Sequence, residues 1–188
     1  MSENGFGRFA LRDTAAGYGI VSRAIHWLTA GLLVGSFWLA WTWGAVARGP
    51  AQAAMVDRHR MLGIAILALT LLRLVWRAGG RRPDHPGLPR WNRWLARGVQ
   101  AALAALLVAI PVAGWAYSNA GGVSVAVFGW PLPGPLPRDT YLASLAVDVH
   151  EALATGLLVL IGLHVLGALR HGWQIRNSRP AVQAVRRP

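Results

Sequence analysis

Four long apolar stretches, separated by polar connectors, dominate the pattern of the chain. The predicted spans cover residues 21–46, 56–76, 94–117 and 141–171. Each is long enough for an α-helix to cross a bilayer core, which takes about 20 residues. The pattern therefore predicts an all-α integral membrane protein, a four-helix bundle that forms a single domain over residues 1–188.

The segments between the spans differ in character. Residues 1–20 form a polar arm that lacks the features of a cleavable signal. Ser22 is the expected N-cap of the first helix, and Pro111 is expected to kink the third. The connector over residues 118–140 contains GWPLPGPLP. Because connectors of this length are often functional, we expect it to fold back as a cap over the outer surface.

The composition narrows the function classes. The chain is 54% hydrophobic and 14% charged, whereas soluble domains carry about 25% charged residues. The absence of cysteine excludes disulfides, thiolate catalysis, iron–sulfur clusters and covalently attached c-type haem. The net charge of +12 comes from arginine alone. A basic protein often binds nucleic acid, but these arginines flank apolar spans, so membrane lipid is the expected partner and nucleic acid is not.

The arginines also predict an orientation. Fourteen lie in the N-terminal arm, the connector between the second and third spans, and the C-terminal tail. The two remaining connectors and their flanks hold only four. Since arginine accumulates on the cytoplasmic side of a membrane protein, we expect both termini to be cytoplasmic.

Histidines at defined heights along the membrane spans are the main indication of a chemical function. His150 and His164 lie 14 residues apart in the last span, which places them roughly 21 Å apart along a helix and within about 40° of one direction. His26 lies near the start of the first span, and His59 lies near the start of the second. Span direction then matches His26 with His164 near the cytoplasmic side, and His59 with His150 near the outer side.

Two facing imidazoles at each of two heights fit two bis-histidine haems. Ionisable groups inside a membrane are costly and usually functional. A proton relay would normally need intramembrane carboxylates as well, and the candidates, Asp148 and Glu151, lie at one helix start. Zinc would need four ligands close together. His85 and His171 are expected not to be ligands.

Arginines are candidates to hold the haem propionates. Arg73 lies 14 residues after His59, at the level of His26, and would be costly in lipid if it were unpaired. Arg23 is a second candidate at that level. Headgroup contact remains the alternative for the surface arginines, and three of them are candidates at the outer level: Arg58, Arg60 and Arg138.

Several motifs give the chain a family resemblance over about residues 18 to 175. They are SRAIHW at 22–27, HRMLG at 59–63, LLRLVWR at 71–77, SNAGGVSVAVFGWPLP at 118–133 and VHEALATGLLVLIGLHVLGALRH at 149–171. Together they resemble the bacterial cytochrome b561 family, close to the b cytochromes of the Ni,Fe-hydrogenase type. The chain departs from many relatives at Gln100, where they carry histidine, and at RHGW after the last span, where they carry paired basic or histidine residues.

The resemblance implies a multi-pass protein of the bacterial inner membrane that binds two b haems. It implies the ligands His26, His59, His150 and His164, the same four residues that the heights select. Family members transfer electrons between quinone and another partner, and one branch oxidises superoxide and reduces ubiquinone.

These observations lead to three hypotheses for the function. The first is a quinone-linked dihaem oxidoreductase, with superoxide as one candidate for the second partner. The second is a membrane anchor that relays electrons to quinone from a separate dehydrogenase or hydrogenase subunit. The third, from another class, is a transporter or structural bundle without a cofactor.

Overall fold

The computed structural model describes residues 10–14, 17–80, 90–127 and 129–184. His85 and the arginines at 8, 81, 82, 186 and 187 lie outside the described residues, and the side chain of His171 is not described. The helices are α1 (Ile20–Thr42, followed by a 3-10 turn at Trp43–Ala45), α2 (Pro50–Ala78), α3 (Arg90–Ala120) and α4 (Thr140–Ala184); β1 (Ala126–Val127) and β2 (Trp130–Pro131) form a small hairpin.

The prediction of an all-α membrane bundle is confirmed. The described part of the chain contains four helices that are long and apolar enough to cross a bilayer. Large apolar side chains point outward, among them Trp38 at 65% and Val75 at 73% exposure. Such an apolar surface is unfavourable in water and is what contact with lipid requires.

Helices α2, α3 and α4 extend beyond their predicted spans at both ends, whereas α1 begins one residue early and ends at Thr42, four residues before its predicted end. Helix α2 begins at Pro50, six residues before the span, because proline fits the first helical turn, where its missing N–H has no helical partner anyway. Helix α4 continues to Ala184 through the basic tail. The apolar pattern marks the part of each helix that suits lipid, and polar residues continue the same backbone hydrogen bonding outside it.

Helix α4 lies partly apart from α1 and α2. Helix α1 packs on α2, α2 on α3 and α3 on α4, whereas the backbone of α4 contacts extensively only that of α3 among the described helices. A gap therefore separates α4 from α1 and α2. Hydroxyl side chains buried in the bundle bond their own helix, as Thr29 and Thr70 do by donating to Ile25 and Ile66 at 2.7 Å.

The start of α1 differs from the prediction. Its N-cap is Gly19, so the assignment of Ser22 as N-cap was wrong. Instead, the Asp13 carboxylate accepts hydrogen bonds from the Gly19 amide at 2.8 Å and the Ser22 hydroxyl at 2.9 Å. The arm provides the capping oxygen because an anion is favourable at a helix N-terminus.

The connector between α3 and α4 folds onto the end of α3. The Asp139 amide donates to the carbonyl of Ala120 at 3.0 Å, and the Leu132 amide donates to that of Val125 at 2.8 Å. Val125 is buried. The connector is a compact structure with its two ends tied together, in line with the expected cap, although its position relative to a membrane surface remains a prediction.

Gly19 offers a test of this arm. A Cβ atom there would lie 2.5 Å from the Leu11 carbonyl oxygen and 2.6 Å from the Arg12 backbone. We expect Gly19→Ala to displace the arm and to lower the stability by about 1–3 kcal/mol. The measurement is the apparent thermal midpoint in detergent. Gly17→Ala, where a Cβ meets nothing within 4 Å, is the control; equal midpoints for the two variants would contradict the docked arm.

Candidate functional site

Two pairs of imidazoles face each other across the gap beside α4. The rings of His26 and His164 have centroids 6.4 Å apart and planes at 79°. Those of His59 and His150 are 6.1 Å apart at 75°. We call them the terminal-side pair and the loop-side pair, after the chain termini and the α3–α4 connector. The partners are those that span direction and spacing predict, and their role as metal ligands stays a prediction.

The spacing within each pair suits a shared metal ion. Metal–imidazole bonds are about 2 Å long, so one ion bound to a nitrogen of each ring holds the two centroids about 6 Å apart. Among the described residues, no three His, Asp or Glu side chains come together as a metal cluster. The arrangement thus offers two ligands at each of two places, which suits iron already held by a macrocycle better than a bare zinc ion.

The loop-side imidazoles are oriented by backbone carbonyls. Nδ1 of His59 lies 3.0 Å from the carbonyl oxygen of Ser36, and Nδ1 of His150 lies 2.9 Å from that of Ile110. A carbonyl oxygen only accepts, so both Nδ1 atoms carry the proton and donate. Each Nε2 then keeps its lone pair for a metal, and a bond from the other ring nitrogen to a carbonyl is the usual support of a ligating histidine.

Close packing fixes the same two rings. The ring of Trp43, at the end of α1, meets His59 edge-on at 5.1 Å, and Gln52 donates to the Trp43 carbonyl at 3.1 Å. His150 lies against Gly114 of α3, where a Cβ atom would come within 2.9 Å of Nδ1. Any side chain larger than hydrogen at 114 would therefore push the His150 ring.

A cleft opens beside the loop-side pair. Its cavity volume is about 80 Å³, it is partly open to the outside, and it is lined mainly by apolar side chains. Gly63, one turn after His59, lines it, and a Cβ there would meet nothing within 4 Å. Space of this kind suits a flat apolar ring. All four helices contribute to the lining: Leu33, Ser36, Phe37, Ala40, His59, Gly63, Ile66, Leu107, Ile110, Pro111, His150, Ala154 and Leu157.

The terminal-side pair has a cation beside it. A guanidinium nitrogen of Arg73 lies 3.3 Å from Nδ1 of His26, so Arg73 stands at the level that its spacing predicts. Because a guanidinium has only donors, Nδ1 of His26 accepts in this contact and the proton is on Nε2. Coordination through Nε2 therefore requires Arg73 to turn away from Nδ1.

Arg73 also has an unused donor. Its Nε atom is buried and has no hydrogen-bond partner among the described residues. An unpaired buried donor on a charged group is costly, and a carboxylate is the group that best satisfies it. Arg73 thus fits the predicted contact with a haem propionate.

The other predicted arginines are placed less closely. Arg60 pairs with Asp57 at 2.7 Å and donates to the Ser118 hydroxyl at 3.2 Å, so part of its charge is already used. The Arg138 guanidinium packs over Gly122. Arg58 and Arg23 are exposed. The structure brings a guanidinium nitrogen of Arg73 to the His26 ring, whereas Arg58 and Arg23 lie at the surface.

Sequence reasoning missed the groups that orient the rings. Ile110 acts through its main-chain carbonyl, which every residue carries, so no side-chain pattern marks it. Ser36 acts through its carbonyl at 3.0 Å, and its hydroxyl also lies 3.1 Å from Nδ1 of His59. The contacts of Trp43 and Gly114 depend on how neighbouring helices meet. A polar Ser36 in an apolar span was the one signal available.

The chain is similar to known membrane cytochromes over most of its length. The family model described as prokaryotic cytochrome b561 matches residues 17–179. The chain is 32% identical over 168 residues to cytochrome b561 homolog 2 of Escherichia coli K12, covering 85% of this chain and 86% of that protein. It is 30% identical over 164 residues to the probable superoxide oxidase CybB of Yersinia pestis, covering 86% and 92%.

The match spans all four helices and both histidine pairs. A b-type cytochrome carries haem b, so the family implies that cofactor and a membrane electron-transfer function. Four membrane helices in a prokaryotic family make the protein a multi-pass protein of the bacterial inner membrane. On this evidence the chain belongs to the prokaryotic cytochrome b561 family of membrane electron-transfer proteins.

Proposed function

We propose that the protein is a dihaem b-type cytochrome that transfers electrons between the quinone pool and a second partner. The observation that carries the proposal is the pair of facing imidazoles at each end of one gap, with centroids 6.4 and 6.1 Å apart. When bound, haem iron held by two imidazoles has no open coordination position and supplies one-electron transfer.

The chain's own residues have distinct roles in this proposal. His26 and His164 hold one group, and His59 and His150 hold the other. The carbonyls of Ser36 and Ile110 fix the loop-side rings. Arg73 takes a propionate at the terminal side, which satisfies its buried Nε. Both termini are cytoplasmic in the proposed orientation, so the loop-side pair lies near the outer face.

Superoxide is the proposed second partner, with ubiquinone as the acceptor. One electron leaves each superoxide, which becomes dioxygen, and two such electrons with two protons convert a quinone to a quinol. Support comes from the relative named as a probable superoxide oxidase. Arginines beside the loop-side pair, above all the exposed Arg58, add a positive field that attracts a small anion.

Relay from a separate subunit is the second candidate. In this version the protein passes electrons from a dehydrogenase or hydrogenase partner to quinone and has no small-molecule donor of its own. Co-purification in mild detergent distinguishes the two, because a relay protein retains a stoichiometric partner subunit and a superoxide oxidase does not require one.

Histidine replacement tests the pairing. We expect about two haems per chain in the loaded protein, since each pair holds one. His59→Ala and His150→Ala should remove one spectral component, and His26→Ala and His164→Ala the other, because one lost ligand opens one site. Pyridine haemochrome counts and dithionite-reduced spectra measure this. If His59→Ala and His26→Ala removed the same spectral component, the pairing would be wrong. If the fully loaded protein contained only one haem, the dihaem proposal would be wrong.

Superoxide decay tests the proposed donor. The loaded protein with a soluble ubiquinone analogue should accelerate the decay in stopped-flow measurements, and omission of the quinone should stop the acceleration after the haems are reduced. Arg58→Gln should lower the second-order rate several-fold at low salt, because it removes a steering charge. Arg97→Gln, the same change on α3 at the opposite end, is the control. No acceleration over protein-free buffer would remove superoxide as donor.

A further inference from the structure

The two histidine pairs differ in what faces the Nδ1 atoms of their rings. In the loop-side pair, both Nδ1 atoms donate to backbone carbonyl oxygens, at 3.0 Å for His59 and 2.9 Å for His150. In the terminal-side pair, Nδ1 of His26 faces a guanidinium nitrogen of Arg73 at 3.3 Å. The loop-side rings thus face acceptor dipoles, and the Arg60 charge that also acts on His59 is paired with Asp57 at 2.7 Å. His26 instead faces a guanidinium that has no carboxylate within ion-pair distance among the described residues, although Asp13 acts on it from further away.

These two environments shift the reduction potential of a bound metal ion in opposite directions. A hydrogen bond from Nδ1 to a carbonyl raises the basicity of the ligating imidazole and so favours the oxidised metal. A positive charge a few ångströms away disfavours the more positive, oxidised state and favours the reduced one. The carbonyl bonds at the loop side and the positive charge at the terminal side therefore both make the reduction potential of a terminal-side metal higher than that of a loop-side metal.

The contrast persists when the terminal-side pair is loaded. Coordination through Nε2 of His26 requires Arg73 to turn from Nδ1, but the arginine is fixed to α2 and its Nε is buried. The carboxylate that would take the guanidinium is a propionate of the bound ring. Pairing offsets that negative charge, which also favours the reduced metal.

We propose that Arg73 makes the terminal-side centre the higher-potential one, so that electrons held by the protein favour that end. The inference rests on the proposed dihaem function, since a difference needs two centres.

An anaerobic redox titration of the loaded protein, followed in the α band, tests the proposal. Wild type should show two components of different midpoint. Arg73→Gln should lower the higher midpoint and leave the lower one in place, whereas Arg73→Lys should preserve most of the difference. Arg77→Gln, which removes the same charge one helical turn further on, is the matched control and should shift the higher midpoint much less.

A second variant tests the loop-side centre. Gly114→Ala places a Cβ within 2.9 Å of Nδ1 of His150, which disturbs its bond to the Ile110 carbonyl. Because that bond favours the oxidised metal, the lower midpoint should rise while the higher one stays unchanged. A change confined to the higher component would show that the order of the centres is reversed.

The remaining outcomes also decide the question. An Arg73→Gln effect on the lower component, or no effect on either, overturns the proposal, as do two equal midpoints in wild type. If Arg73→Gln loses one haem, the survivor must titrate as the lower component; survival of the higher one overturns the proposal. A single haem in loaded wild type is a different result, because it ends the dihaem function itself.

Discussion

An imidazole inside a membrane bundle has two nitrogens to satisfy and no water to satisfy them. A buried donor or acceptor without a partner costs about 1–3 kcal/mol, and helix backbones offer few free groups because their own N–H and C=O atoms are already paired. The loop-side histidines meet this constraint with a carbonyl on Nδ1, from Ser36 for His59 and from Ile110 for His150. That leaves Nε2 of each ring, and a metal ion between two facing rings satisfies both at once.

The packing of the helices follows from the same requirement. Protein interiors are normally close-packed, yet α4 makes extensive backbone contact only with α3 among the described helices. The gap that results contains both histidine pairs and the cleft at the loop-side pair. Ordinary side chains do not fill it, and Gly63 on its lining has open space where a Cβ would stand. A pair of flat rings in this gap would complete the core and would join α4 to α1 and α2.

Charge makes the two ends of the bundle unequal. An arginine within an apolar helix is costly unless it is paired, and Arg73 meets His26 with one nitrogen while its Nε remains without a partner among the described residues. At the loop side, Arg60 is instead held by Asp57 and Ser118. A guanidinium without a carboxylate at ion-pair distance among the described residues therefore lies beside His26, whereas the one at the loop side is ion-paired. In a low-dielectric environment such a difference biases the electron affinity of whatever those pairs hold.

The sequence by itself determined the four membrane helices, the heights of the histidines and the level of Arg73, because helical rise and bilayer thickness convert residue number directly into depth. It could not reveal that Asp13 rather than Ser22 caps α1, since that depends on how the arm folds back. Nor could it show the carbonyls of Ser36 and Ile110, the edge of Trp43 or the space left by Gly114. Those are contacts between separate helices, and only the rotation and distance of each helix relative to its neighbours decide them.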